Sequence, residues 1–158
     1  MTHYNGNRLE VSPAKEEERD WCAELMASTD PWIRLGRGIE DCRKRCHDPE
    51  FLLFVAHESG RPLGFILLQR RGVAGSPYIA SIATAAECRG KGVGRQLLEF
   101  AEDFFRPDFQ HMFLCVSSFN QRARDLYERC GYRVIGELRE YVIPGASEFL
   151  MHKRLREP

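Results

Sequence analysis

Apolar positions along the chain change period several times, and each change marks an element. The pattern over 8–11 predicts a short strand. Ser12-Pro13 then predicts a helix start, with Ser12 as N-cap and Pro13 at the first helical position. Glu16, Glu17 and Glu18 in its early turns suit the positive end of a helix dipole. Trp21, Cys22, Leu25 and Met26 follow at the 3–4 spacing of a buried helical face. The stretch STDPWIRLGRG, 28–38, reads as a loop around Pro31 that carries Trp32, Ile33 and Leu35, and a second helix follows over 39–46. Two apolar runs, 51–57 and 62–70, flank the turn signal ESGR and predict a hairpin. A further strand is predicted over 78–84. Val93, Leu97, Leu98, Ala101, Phe104 and Phe105 then repeat at helical spacing. A strand over 111–117 precedes a helix over 120–130, which Asn120 can cap and Gly131 can end. The last strands span 132–142 and 148–155, separated by IPGAS, whose Pro144-Gly145 pair marks a turn. The order is strand, two helices, three strands, helix, strand, helix, two strands. It predicts an α/β fold on one mixed sheet, with 1–158 as a single domain.

Composition narrows the function classes. The 158 residues are 43% hydrophobic and 29% charged, an ordinary globular mix. Lys plus Arg and Asp plus Glu number 23 each, so nothing pulls the chain as a whole toward nucleic acid or an anionic membrane. Any anion site must be local. No apolar run approaches the ~18 residues of a membrane span, and the opening MTHYNGNRLE lacks the apolar stretch of a signal peptide. The expectation is a cytoplasmic protein that binds neither nucleic acid nor membrane. Six cysteines are scattered, mostly in apolar patterns, and are expected as buried, reduced thiols. The one cluster, CRKRCH over 42–47, has no second cluster to complete a metal site, so no metal is expected.

The chemistry concentrates in CRGKGVGRQLL, 88–98, where Gly90, Gly92 and Gly94 fall at every second position just before a helix. Glycine costs roughly 0.5–1 kcal/mol relative to alanine inside a helix, so something must offset it. The spacing is not that of a P-loop, because Lys91 is not followed by Ser or Thr. It is not that of a dinucleotide fingerprint either, because Arg95 stands where the third glycine would fall. What remains is a strand end, a short loop and a glycine-rich helix start. There, exposed N–H groups and a positive dipole end can receive a phosphate. Arg89, Lys91 and Arg95 add cations to the same turn. The alternative is a flexible loop with solvated basic residues.

The segment IATAAECRGKGVGRQLLEFAEDF resembles the acetyl-CoA motif of the GNAT N-acetyltransferases, R/Q-x-x-G-x-G/A, through Arg89, Gly92 and Gly94. LCVSSFNQRARDLYERCGYRVIG, 114–136, resembles that family's second block, a strand, an Asn, and a helix ending in Y-E-x-x-G-F/Y. Together the two blocks cover roughly the C-terminal half. The resemblance implies a mostly antiparallel sheet of six to seven strands, about four helices, and central strands that splay around the pantetheine arm of the cosubstrate. It implies backbone contacts from Ile82 and Thr84 to the arm, an oxyanion donor near Ile82 and Ala83, and a pyrophosphate cradle of Gly90, Lys91, Gly92, Val93, Gly94 and Arg95, with Arg89 beside it. Asn120 is placed at the arm, at the helix cap, or both. Tyr127 shares an inward helical face with Ala123, Leu126 and Cys130 and is the candidate acid that protonates the CoA thiolate; the alternative is a core tyrosine.

The implied function is acetyl-CoA-dependent N-acetylation of a primary amine by direct attack, with a non-catalytic acyl-CoA-binding sensor as the alternative. The acceptor, a small molecule or a protein amine, is not legible. Trp32 and Tyr141 are candidate walls of its site. Relatives that acetylate protein N-termini often carry a glutamate where this chain has Cys115. Glu87, Glu140 and Asp30 therefore stand as candidate bases beside a water-mediated route. Dimerisation is common in such folds, and no interface is legible.

Overall fold

The computed structural model describes residues 8–158. Seven strands form one sheet in the order β1-β2-β3-β4-β5-β7-β6. They are β1 (Glu10–Pro13), β2 (Leu52–Glu58), β3 (Arg61–Val73), β4 (Ser76–Thr84), β5 (His111–Ser117), β6 (Arg133–Leu138) and β7 (Glu148–Arg154). The helices are α1 (Glu16–Ala27), α2 (Ile39–Cys46), α3 (Val93–Phe105) and α4 (Gln121–Arg129). Every neighbouring pair is antiparallel except β4 and β5, which run parallel.

Two cores lie on opposite faces of the sheet. On one face Cys22, Ala23 and Met26 of α1 and Cys42 and Cys46 of α2 pack against Leu53, Val55, Phe65, Leu67 and Ala83. On the other, Val93, Leu97, Leu98, Ala101 and Phe105 of α3 and Tyr127 of α4 pack against Ile66, Leu68, Ile79, Leu114 and Met151. Burying each large side chain of the α3 stripe contributes roughly 1.5–3 kcal/mol, which holds this helix start firmly against β3 and β4. The six cysteines are free. Cys42 and Cys46, the sequence's candidate cluster, are core residues, and burial pushes the Cys46 thiol up to about 12.

The first helix begins later than Ser12-Pro13 suggests. Both residues finish β1, where Ser12 pairs with Val55 and Pro13 with Phe54. A proline without an N–H is tolerated at the end of an edge strand as well as at a helix start. The helix N-cap is Lys15, whose backbone N–H donates to Glu18 Oε1 at 2.9 Å. Glu18 Oε2 also meets His57 Nε2 of β2 at 2.5 Å, so one carboxylate caps α1 and ties it to the sheet. The strand expected over 132–142 is also shorter. It ends at Leu138, and the chain turns at Glu140, which has φ 48°.

Burial alone would raise the Glu18 pKa, but the Lys15 N–H and His57 outweigh it and hold the carboxyl below its ordinary value. A depressed carboxylate contributes stability that is full above its unfolded pKa and fades as pH falls through the folded one. Unfolding midpoints in urea should therefore drop as pH falls below about 4.5. Glu18→Gln should lower the midpoint at pH 7 by the equivalent of about 1.5–3 kcal/mol and flatten that acid limb; an unchanged limb would show that the pair does not govern it.

Candidate active site

The site begins with a fault in strand pairing. Leu67 pairs with Ser81 but Leu68 pairs with Ile79, so Ala80 is an extra residue on β4. Such a bulge bends the strand that carries it. The parallel ladder between β4 and β5 holds only Tyr78↔Phe113 and Ile79↔Leu114. Beyond it, β4 stays paired with β3 as far as Gly64↔Thr84, and β5 stays paired with β7 as far as Ser117↔Glu148. The two strands therefore diverge, and among the described residues the inner edge of β4 over 80–84 has no partner strand. A cleft of ≈ 980 Å³ occupies the gap.

One end of this cleft is the glycine turn. Gly90 and Gly92 have φ of +76° and +89°, in the left-handed region that L side chains disfavour. Gly92 is the N-cap of α3. A Cβ on Gly90 would stand 3.3 Å from Arg122 Nη2, and one on Gly94 would stand 3.3 Å from Leu126 Cδ2. The glycines thus serve both backbone shape and close approach. Ile82, Ala83, Thr84, Arg89, Gly90, Gly92, Val93, Gly94, Arg95, Asn120 and Tyr127 all border the cleft, whereas Lys91 is exposed outside its lining. Arg89 donates to Thr29 Oγ1 at 3.4 Å, and Arg95 pairs with Glu99 at 3.4 Å.

Helix α4 closes the cleft from the α3 side. Asn120 Oδ1 accepts from the Ala123 N–H at 3.4 Å, so Asn120 both caps the helix and borders the cleft. Gly131, with φ +96°, ends the helix one residue after Cys130. Tyr127 is 7% exposed and packs edge-on against Tyr132, with ring centroids 6.3 Å apart. Burial, helped by Cys130, pushes its phenol above the usual range, so it keeps its proton at neutral pH.

The α1–α2 side carries a different set. Leu114 and Val116 of β5 face the α3 core, so Cys115 and Ser117 point the other way. Met151 and Phe149 of β7 likewise pack on the α3 side, leaving Glu148 and Leu150 on the α1–α2 face. Glu148 stands directly opposite Ser117 and borders the cleft. Burial raises its carboxyl pKa, and Ser117 offsets part of that rise without the alignment of a full hydrogen bond. Burial also raises the phenol of Tyr78 and the thiol of Cys115.

Of the carboxylates singled out in the sequence, Asp30 borders the cleft and accepts from the Arg34 N–H at 3.3 Å. Glu87 and Glu140 lie outside the lining. Glu140 accepts from the Gly145 N–H at 3.2 Å and shapes the turn before β7. Trp32 and Tyr141 both border the cleft. Glu148 escapes a sequence reading, because its place depends on the register of β7 against β5. The only local sign was its position at the start of an apolar strand.

This geometry has counterparts. The family model for the acetyltransferase (GNAT) family matches residues 14–132. An uncharacterised N-acetyltransferase of Methanocaldococcus jannaschii is 35% identical over 103 residues, which are 64% of this chain and 65% of that protein. The chain thus spans just under two thirds of that relative. The N-alpha-acetyltransferase RimI of Mycobacterium tuberculosis is 28% identical over 141 residues, covering 86% of this chain and 84% of that one. Among solved structures, an aminoglycoside 6'-N-acetyltransferase complexed with coenzyme A superposes with a TM-score of 0.75 at 15% identity, over 94% of this chain and 98% of that one. With a split sheet, a left-handed glycine turn at a helix start, and a family match over most of its length, the chain belongs to the GNAT acetyltransferase family.

Proposed function

We propose that this protein moves an acetyl group from acetyl-CoA to a primary amine by direct attack. The observation that carries the reading is the unpaired edge of β4, which runs over 80–84 toward the glycine turn, with Tyr127 buried on the same cleft. Extended backbone groups at Ile82 and Thr84 are free to pair with an amide-bearing arm, as an added strand would. The first N–H groups of α3 and the αL glycines suit a pyrophosphate, because nothing larger than hydrogen obstructs the backbone. Acetyl-CoA supplies the activated acyl group when bound. In support, the M. tuberculosis relative is named an N-alpha-acetyltransferase and the structural neighbour an aminoglycoside 6'-N-acetyltransferase.

In this reading, the Ile82 N–H on the open edge of β4 stabilises the carbonyl oxygen as the amine adds. Tyr127 donates to the departing sulfur. Its raised pKa makes it a poor acid in isolation, so it acts chiefly as a hydrogen-bond donor and gives up the proton as thiolate charge develops. The Cys115 thiol, raised by burial, stays protonated at neutral pH and is a weak nucleophile, which supports direct attack over a cysteine-bound acyl group. Trp32 and Tyr141 wall the acceptor end, where Asp30, Glu148, Arg37 and Arg45 offer both signs of charge.

Thermal unfolding with acetyl-CoA, CoA, ATP and NAD at matched concentrations tests the cradle. Acetyl-CoA and CoA should raise the Tm selectively, a ligand at ~100 times its Kd adding roughly 2.7 kcal/mol; an equal response to all four would remove the assignment. Acetyl-CoA binding with no thiol release across an amine panel would favour the sensor reading. Gly92→Ala should cost about 1–2 kcal/mol of stability through left-handed strain and weaken acetyl-CoA binding measured by calorimetry. Tyr127→Phe should lower kcat on the order of 10²-fold while leaving acetyl-CoA affinity within about twofold, and an unaltered kcat would free Tyr127 of this role.

A further inference from the structure

We propose that Glu148 accepts the proton released by the attacking amine, working from the sheet face opposite Tyr127. The inference rests on the acetyl-transfer reading above. Its basis is the placement of side chains around the split. Tyr127 belongs to the core on the α3–α4 face, while Ser117 and Glu148 face the α1–α2 side at the last paired position of β5 and β7. A thioester lying in the gap between β4 and β5 has one group on each side. An amine entering from the α1–α2 side meets Glu148, and a thiolate leaving toward α4 meets Tyr127. The acid and the base then never compete for one proton.

A second observation marks the same spot. Ser117 is 2% exposed and borders the cleft, and its Oγ lies beside the Glu148 carboxylate yet makes no hydrogen bond of ordinary geometry among the described residues. A buried hydroxyl short of a full hydrogen bond is costly, and a bound polar group or water beside Glu148 would remove that cost. Cys115 stands two residues earlier on the same strand face, so β5 offers no carboxylate there, and β7 supplies one beside it.

The charged and titratable groups around Glu148 come from each neighbouring element. Tyr78 of β4 and Cys115 of β5 both feel its charge. Arg45 of α2 acts on Tyr78, and Asp41 of α2 with Asp30 and Arg37 of the preceding loop border the same cleft. Tyr78 and Cys115 are held neutral by burial, so Glu148 is the carboxylate that the paired ends of β5 and β7 offer to a proton at neutral pH. Burial raises its basicity toward that task.

The step balances. The Glu148 carboxylate takes one proton from the substrate ammonium, directly or through one water, and the neutral amine then forms the N–C bond. The C–S bond breaks, and the thiolate takes the Tyr127 proton. The second amine proton, lost as the amide forms, returns to Tyr127 through solvent, Glu148 releases its own proton to solvent, and an amide and a free thiol leave.

The test compares wild type with Glu148→Gln in thiol release across pH 6–11, using two peptide probes. One has a free N-terminus and no lysine, and the other has a blocked N-terminus and one lysine. Their amines have pKa values of about 7.7–8.0 and 10.4. At pH 7 the variant should lose about 10²-fold in kcat, with acetyl-CoA affinity unchanged. The loss should shrink as pH passes the amine pKa, sooner for the N-terminal probe. A loss equal at every pH, or no loss, overturns the role of Glu148 and leaves the acetyl-transfer reading standing. A wild type that neither binds acetyl-CoA nor releases thiol overturns both. Should wild type bind acetyl-CoA but use neither peptide, the ¹³C titration of the Glu148 carboxyl, assigned through the variant, decides. A carboxyl that titrates above the ordinary range and shifts with acetyl-CoA supports the proposal, and one that does neither overturns it.

Discussion

The structure depends on two strands that start as partners and then part. Only two residue pairs join β4 to β5, yet these pairs hold the sheet together as one body, because the remaining strands pair on either side of them. A longer ladder would close the cleft, and a shorter one would leave two separate sheets. The extra residue Ala80 sets the point of divergence. A bulge leaves one residue unpaired and bends its strand, so the unpaired backbone of β4 is a built feature of the fold. An unpaired strand edge normally invites aggregation. Here it lines a cleft flanked by α3 and α4.

The rest of the site is fixed relative to that split. Helix α3 packs its apolar stripe on β3 and β4, which brings the Gly92 cap to the end of the open edge. Gly94 lets α4 approach, since Leu126 lies where a side chain would stand. Further back, Glu102 of α3 is 3% exposed and accepts from Lys153 of β7 and from Tyr132, which follows α4. Taking one partner from such a buried charge leaves the other uncompensated. The helix that carries the glycine turn is thereby tied to β7 and to the segment that follows Tyr127.

What could be read from the sequence depended on how local each signal was. The helix over 39–46 and the strand over 111–117 have the bounds expected, because acidic and basic residues or turns sit at both ends. Tyr127 was legible as an inward residue from helical spacing alone, and its 7% exposure agrees. Ser12-Pro13 misled because proline fits a strand end on an edge as readily as a first helical turn, and only the pairing with β2 decides between them. Ala80 carries no mark of a bulge, since the bulge exists only in its register against β3. Glu148 is of the same kind. Its partner Ser117 is 31 residues earlier in the chain, and no local pattern announces the match.

The two cores flanking the sheet differ in extent. Among the described residues the α3–α4 side buries 22 hydrophobic residues in one cluster and the α1–α2 side buries 10. The larger cluster supports the glycine turn and Tyr127, while the smaller one supports the loop and helix that border the cleft from the other side. Local opening takes less free energy where fewer apolar contacts must be broken. The α1–α2 face is therefore the softer one, and it can be remodelled by mutation with less loss of packing than the α3–α4 face. A fold arranged in this way can change what it acts on while keeping the apparatus that acts.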